Sequence, residues 1–96
     1  MILIKRLIWD DWNVAHIAKH DVIPDEVDEV CQCDPLVQKG NHGRIVLIGP
    51  TMTDKILEVV LDPEPDKGIY YVVTAHIASK KDRILYIKEK GGGDIK

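Results

Sequence analysis

The chain has 96 residues, with 16 Asp and Glu against 13 Lys and Arg, a formal net charge of −3, and 45% apolar residues. That length holds one domain with a modest core, and the mixture of charged and apolar residues is that of a globular chain, not a disordered one. The acidic balance argues against a broad nonspecific nucleic-acid surface but leaves room for a local basic one.

No apolar run approaches the roughly 20 residues of a membrane span. The apolar stretch Ile2, Leu3, Ile4 meets Lys5 and Arg6 well short of the roughly 7–15 apolar residues of a secretory signal, so the expected compartment is the cytoplasm. Cys31 and Cys33 are too close in sequence for a framework disulfide and are expected as thiols.

In chain order, residues 2–8 are β-branched or Leu apart from Lys5 and Arg6 and predict a first strand. Asp10 or Asp11 can cap a helix over 12–20 with Val14, Ile17 and Ala18 on its apolar face. Pro24 suits the first turn of a second helix, Asp25 and Glu26 suit its N-terminal dipole, and Val27, Val30 and Cys31 form its stripe. After Asp34-Pro35 the period changes. Residues 36–38 predict a short strand, and Gly40-Asn41-His42-Gly43 a turn. Strands follow over 45–48, 56–61 and 69–75, separated by Gly49-Pro50 and by a loop with Pro63, Pro65 and Gly68. Ser79-Lys80-Lys81-Asp82 resembles a capping box and opens a last helix to about Lys88, with Ile84 and Leu85 inward.

The predicted order is β-α-α-β-β-β-β-α, an α+β fold with a small antiparallel sheet. The central strands, being the most apolar, are expected to be buried on both faces. Residues 1–90 form the single domain, and residues 91–96, with three consecutive glycines, a flexible tail.

Several local strings occur in a suggestive order: Trp9-Asp10, Lys19-His20 followed by Val22, Glu29-Val30, Asp34-Pro35, Arg44 through Gly49, and Thr74-Ala75 leading into a charged helix ending at Tyr86. From about Trp9 to Tyr86 the chain resembles the BrnT family, the toxin halves of type II toxin–antitoxin pairs. His76 stands where that family commonly carries Arg. The resemblance implies a RelE-like fold and a metal-independent endoribonuclease that cleaves messenger RNA. It also implies a cognate antitoxin, usually a ribbon-helix-helix DNA-binding protein. It implies no cofactor and leaves self-association open. The alternative is a BrnT-like interaction module without catalysis that binds a partner protein.

Metal-free RNA cleavage needs a base for the 2′-hydroxyl, an acid for the leaving 5′-oxygen and a cation for the phosphate. The catalytic candidates are Arg44, for the phosphate, and His76, for proton transfer, with His42 and Lys80 assisting. Lys81 and Arg83 are the RNA-binding candidates. Between His76 and Lys90 five basic side chains face two acidic ones. If the strands are neighbours, these groups converge on one sheet face. His16 and His20, four apart on a helix, share a face, but without a CxxC pair or an HExxH string no metal site is expected. From Asp21 to Asp34 the chain carries several acids and no Lys or Arg, the pattern of a solvated helix face. Trp9 and Trp12 can either anchor the first helix or stack on a base.

Overall fold

A computed structural model describes residues 2–90. In chain order the elements are β1 (Arg6–Ile8), α1 (Asp11–Ala18), α2 (Pro24–Gln32), β2 (Leu36–Lys39), β3 (Ile45–Pro50), β4 (Ile56–Pro63), β5 (Ile69–Ile77) and α3 (Lys80–Lys90). A short 3-10 turn at Asn41–Gly43 joins β2 to β3. The expected tail over 91–96 lies outside the described residues.

The fold is α+β, and its five strands form one sheet in the order β1-β5-β4-β3-β2. Strands β2 to β5 make an antiparallel meander through short connections. The sheet is nevertheless mixed, not wholly antiparallel, because β1 joins the far edge parallel to β5, with Arg6 opposite Ile69 and Ile8 opposite Tyr71. A parallel pair needs a long connection, and the whole of α1 to β4 supplies it. The expected strand over 2–8 is shorter for the same reason. Only three residues find partners on β5, while Ile2 and Ile4 pack on the core without joining the ladder.

The helix α1 starts where Asp10 caps it. The Asp10 side chain accepts from the Asn13 N–H at 2.9 Å, and Asn13 Oδ1 accepts from the Asp10 N–H at 2.8 Å. Its buried face differs from the apolar stripe. Ile17 is buried, but so is Asn13, whereas Val14 and Ala18 are exposed. The physical reason is the edge of β5. Beyond its three-residue pairing with β1, that strand has backbone groups without a strand partner. Asn13 Nδ2 donates to the carbonyls of both Ile8 and Val72, each at 3.0 Å. Polar satisfaction, not apolar spacing, sets the rotation of this helix.

On one face of the sheet Leu47, Leu57, Val59, Leu61, Val72 and Ala75 meet Ile17, Val22, Val27 and Val30 in a single core. Pro24 opens α2, with Glu26 Oε1 accepting from the Ile23 N–H at 3.1 Å. The turn between β3 and β4 is strapped to this helix. Lys55 Nζ donates to Glu26 Oε2 at 2.8 Å and to the Asp21 carbonyl at 3.0 Å, and the Met52 N–H donates to Glu29 Oε1 at 2.9 Å.

The central strands are not buried on both faces. In β4 the buried residues Leu57, Val59 and Leu61 alternate with partly exposed Glu58, Val60 and Asp62. A period of two puts these last three on the second face. There α3 covers only one side, over β2 and β3, and Ile48 is buried outside the main core. Ser79 Oγ accepts from the Asp82 N–H at 3.1 Å to start α3. Leu85 is partly buried as expected, but Ile84 is exposed, and no residue of the helix is fully buried.

Asn13→Leu removes both Nδ2 hydrogen bonds and strands two carbonyls, so we expect a loss of about 2–4 kcal/mol, read by thermal melting. Val59→Asp places an unpaired charge in the core and is expected to leave no cooperative transition at all. The Lys55–Glu26 strap carries a pH signature. Burial works to raise the Glu26 carboxyl, but the hydrogen bonds from Lys55 and Ile23, with the Lys55 charge, outweigh it and hold the group below its ordinary value. A depressed carboxyl stabilises above its unfolded value and loses that contribution as pH falls. Lys55→Met is therefore expected to lower the melting temperature at pH 7 and to lower it less near pH 3.

Candidate functional site

The second face of the sheet carries the titratable groups. Glu58 on β4 lies opposite His76 on β5, and Val60 opposite Thr74. His76 Nδ1 sits 3.0 Å from the carbonyl oxygen of Ile77. A carbonyl only accepts, so Nδ1 is the donor in this contact and Nε2 is the ring nitrogen turned toward Glu58. That Nε2 lies 3.7 Å from Glu58 Oε1, and the His76 side chain is 37% exposed. The pair is therefore reachable from solvent.

Its surroundings come from α1. The His20 ring meets the His76 ring edge-on, with centroids 5.8 Å apart. His16 meets His20 at 5.4 Å, and Trp12 stacks on His16 at 4.9 Å with the planes 7° apart. His16 Nε2 and Thr74 Oγ1 share a hydrogen bond of 3.1 Å, which ties this row of rings to β5. The spacing 12, 16, 20 is one face of a helix, so the row from Trp12 to His20 has a visible signal in the sequence. Its meeting with His76 and Glu58 does not, because it depends on α1 lying along β5.

Just beyond His76 the chain turns into α3. Lys80 and Lys81 are exposed at its start, and Arg83 Nη1 donates to the Ala78 carbonyl at 3.1 Å. These three share the end of the sheet that holds His76.

Arg44 and His42 do not. Arg44 precedes β3 and sits beside the far end of β4, with Nε 3.8 Å from Asp62 Oδ2. Asp62 is four residues from Glu58 along β4, roughly 13 Å at about 3.3 Å per residue. Arg44 and His76 thus share a face but not a phosphate-sized site. The Arg44 Nε is enclosed and has no hydrogen-bond partner among the described residues. Arg44 also lines a cavity of about 310 Å³ with Lys39, Gly40, Asn41, Val46 and Val60. His42 is an exposed residue of the 3-10 turn in the left-handed region, φ 60° and ψ 36°, remote from β5.

Among the described residues, no group of three or more His, Cys, Asp or Glu is placed to hold a metal ion. No described helix is long and apolar enough to cross a membrane. The comparisons come out blank: no family model, curated protein or solved structure matches the chain.

The thiols stand apart from the row of rings. Burial, and then the nearby Asp28 carboxylate, push the Cys31 thiol up to about 12, while Cys33 is exposed. A thiol held so far above neutrality is a poor nucleophile. Iodoacetamide at pH 8 is expected to alkylate Cys33 in the native protein and to leave Cys31 unmodified until it unfolds, as peptide mass mapping will show.

Proposed function

We propose that the chain is a BrnT-like toxin of a type II toxin–antitoxin pair, with a RelE-like fold, acting as a metal-independent endoribonuclease on messenger RNA. The observation that supports it best is the pairing of His76 and Glu58 on an open sheet face, with Nδ1 of the ring held by a backbone carbonyl and the basic start of α3 following four residues on in the chain.

In this reading Nε2 of His76 takes the proton of the ribose 2′-hydroxyl. The 2′-oxygen then attacks the adjacent phosphorus and the bond to the 5′-oxygen breaks, leaving a 2′,3′-cyclic phosphate. The imidazolium that forms faces Glu58, whose negative charge stabilises it. Lys80, Lys81 and Arg83 supply positive charge to the phosphate, the role that the sequence suggested for Arg44. Lys80 is the candidate proton donor to the departing 5′-oxygen. A basic antitoxin segment covering this face, with its Glu58 and Asp62, would block RNA entry.

A second reading, the interaction module that binds a partner protein, is favoured by one observation: Arg44 is paired with Asp62 away from His76. Inducing the chain alone in a bacterial host separates the two. The toxin reading expects growth arrest with messenger RNA cleavage. The module reading expects neither.

His76→Ala is expected to lower the cleavage rate about 10²-fold or more without lowering the melting temperature. Arg44→Ala is expected to cost less than tenfold, because it lies away from His76. Activity is expected to survive a chelator and to change with pH between roughly 5 and 8, the range in which histidine chemistry operates. Loss on chelation with rescue by zinc or magnesium would sink the mechanism.

A further inference from the structure

The two tryptophans have different fates. Trp9 packs against the core, whereas Trp12 is 60% exposed. An indole left in water forgoes a large apolar burial. Trp12 is also outside the shallow groove that Trp9, Asp10, Asp11, Val14, Ala15 and Ala18 line on α1. What Trp12 does touch is aromatic: it lies parallel to the His16 imidazole, and His16 is held by Thr74. From there the rings run through His20 to His76. An exposed, backed, flat ring at the head of a row that ends at a proton-transfer group has the form of a stacking platform.

We infer that Trp12 stacks on a nucleobase of the single-stranded RNA whose backbone lies at His76, an inference that rests on the ribonuclease reading. A base suits this surface better than an apolar protein side chain. The ring already stacks on the imidazole of His16, a flat polar ring, and every base offers a π face whatever its identity. Three ring-to-ring steps, of 4.9, 5.4 and 5.8 Å, separate Trp12 from His76, so the stacked base is not next to the bond that breaks. Trp12 is a positioning residue. Its loss raises KM and leaves kcat nearly unchanged.

The test uses the whole protein and a 2′-O-methyl hexanucleotide, which lacks the nucleophilic hydroxyl and is not cut. Binding is followed by anisotropy and by tryptophan fluorescence, with a single abasic position walked along the strand. One abasic position is expected to weaken binding about tenfold and abolish the fluorescence change. Trp12→Leu should weaken the intact oligonucleotide equally and become indifferent to that abasic position, while Trp12→Tyr keeps most of the affinity. The Trp12 increment should persist in high salt, because stacking releases no counterions, even as total affinity falls.

Oligonucleotide binding that ignores both Trp12→Leu and every abasic position overturns the inference, as does the absence of binding. Trp12→Leu that spares the oligonucleotide but abolishes capture of a purified partner protein overturns it in favour of a protein interface. If RNA is cleaved but the abasic series is flat, stacking fails and the ribonuclease reading stands. If the abasic position is found but RNA is never cut, stacking stands and the ribonuclease reading fails.

Discussion

The carboxamide of Asn13 is the contact on which the arrangement turns. It sits fully buried where β1 stops pairing with β5, and its two N–H groups close the carbonyls left by that divergence, Ile8 on one strand and Val72 on the other. Its oxygen at the same time accepts from Asp10, the cap of its own helix. One side chain thus joins two strands and a helix start. A hydrophobic residue of the same size would fill the space and leave the carbonyls dry.

From that anchor the rest of α1 follows. With Asn13 held at the sheet edge, Ile17, four residues on, enters the core, and Trp12, His16 and His20 fall along the flank facing Thr74 and His76. The helix acts as the missing continuation of β1. It covers the upper part of β5 with rings in place of a ladder of hydrogen bonds. The second sheet face, roofed on one side by α3 and bounded on the other by α1, is left open over Val46, Val60 and Thr74. Tyr71 reinforces the same corner, its hydroxyl donating to the Asp10 carboxylate at about 3.1 Å. That contact and nearby burial push the Tyr71 phenol above its ordinary value, burial being the larger cause.

Local features of the sequence were readable where local physics decides them. Asp10 as a cap, Pro24 at the start of α2 and the turn at residues 40–43 all rest on backbone chemistry within a few residues. The α+β class follows from the order of the elements. The expected stop after Leu61 was misread: β4 runs on through Asp62 to Pro63, which stand opposite Tyr71 and Tyr70, because a proline is tolerated at the last position of a strand. The parallel pairing of β1 was not readable, because Arg6 and Ile69 are brought together by nothing near either of them. The inward face of α1 was misread for a related reason. An Asn that is polar by composition becomes a core residue once two distant carbonyls need it. For the site, His76 and the basic start of α3 were visible as a cluster in sequence. The gap between Arg44 and His76 was not, since it depends on register along β4. Glu58 gave no signal at all; as one acid among many in the chain it gains meaning only by standing opposite His76.

The same connectivity has a temporal side. Both contacts that seat α1 reach nearly sixty residues ahead, Asn13 to Val72 and His16 to Thr74. The first strand likewise waits for the last. During synthesis the N-terminal third emerges long before the strand that receives it, and loop closure over such a span is slow. Until β5 has left the ribosome, the row of rings has no His76 to meet and the open face has no wall. A growing chain therefore carries the parts of the candidate site without the site, and the surface is complete only after β5, through Ile77, has emerged.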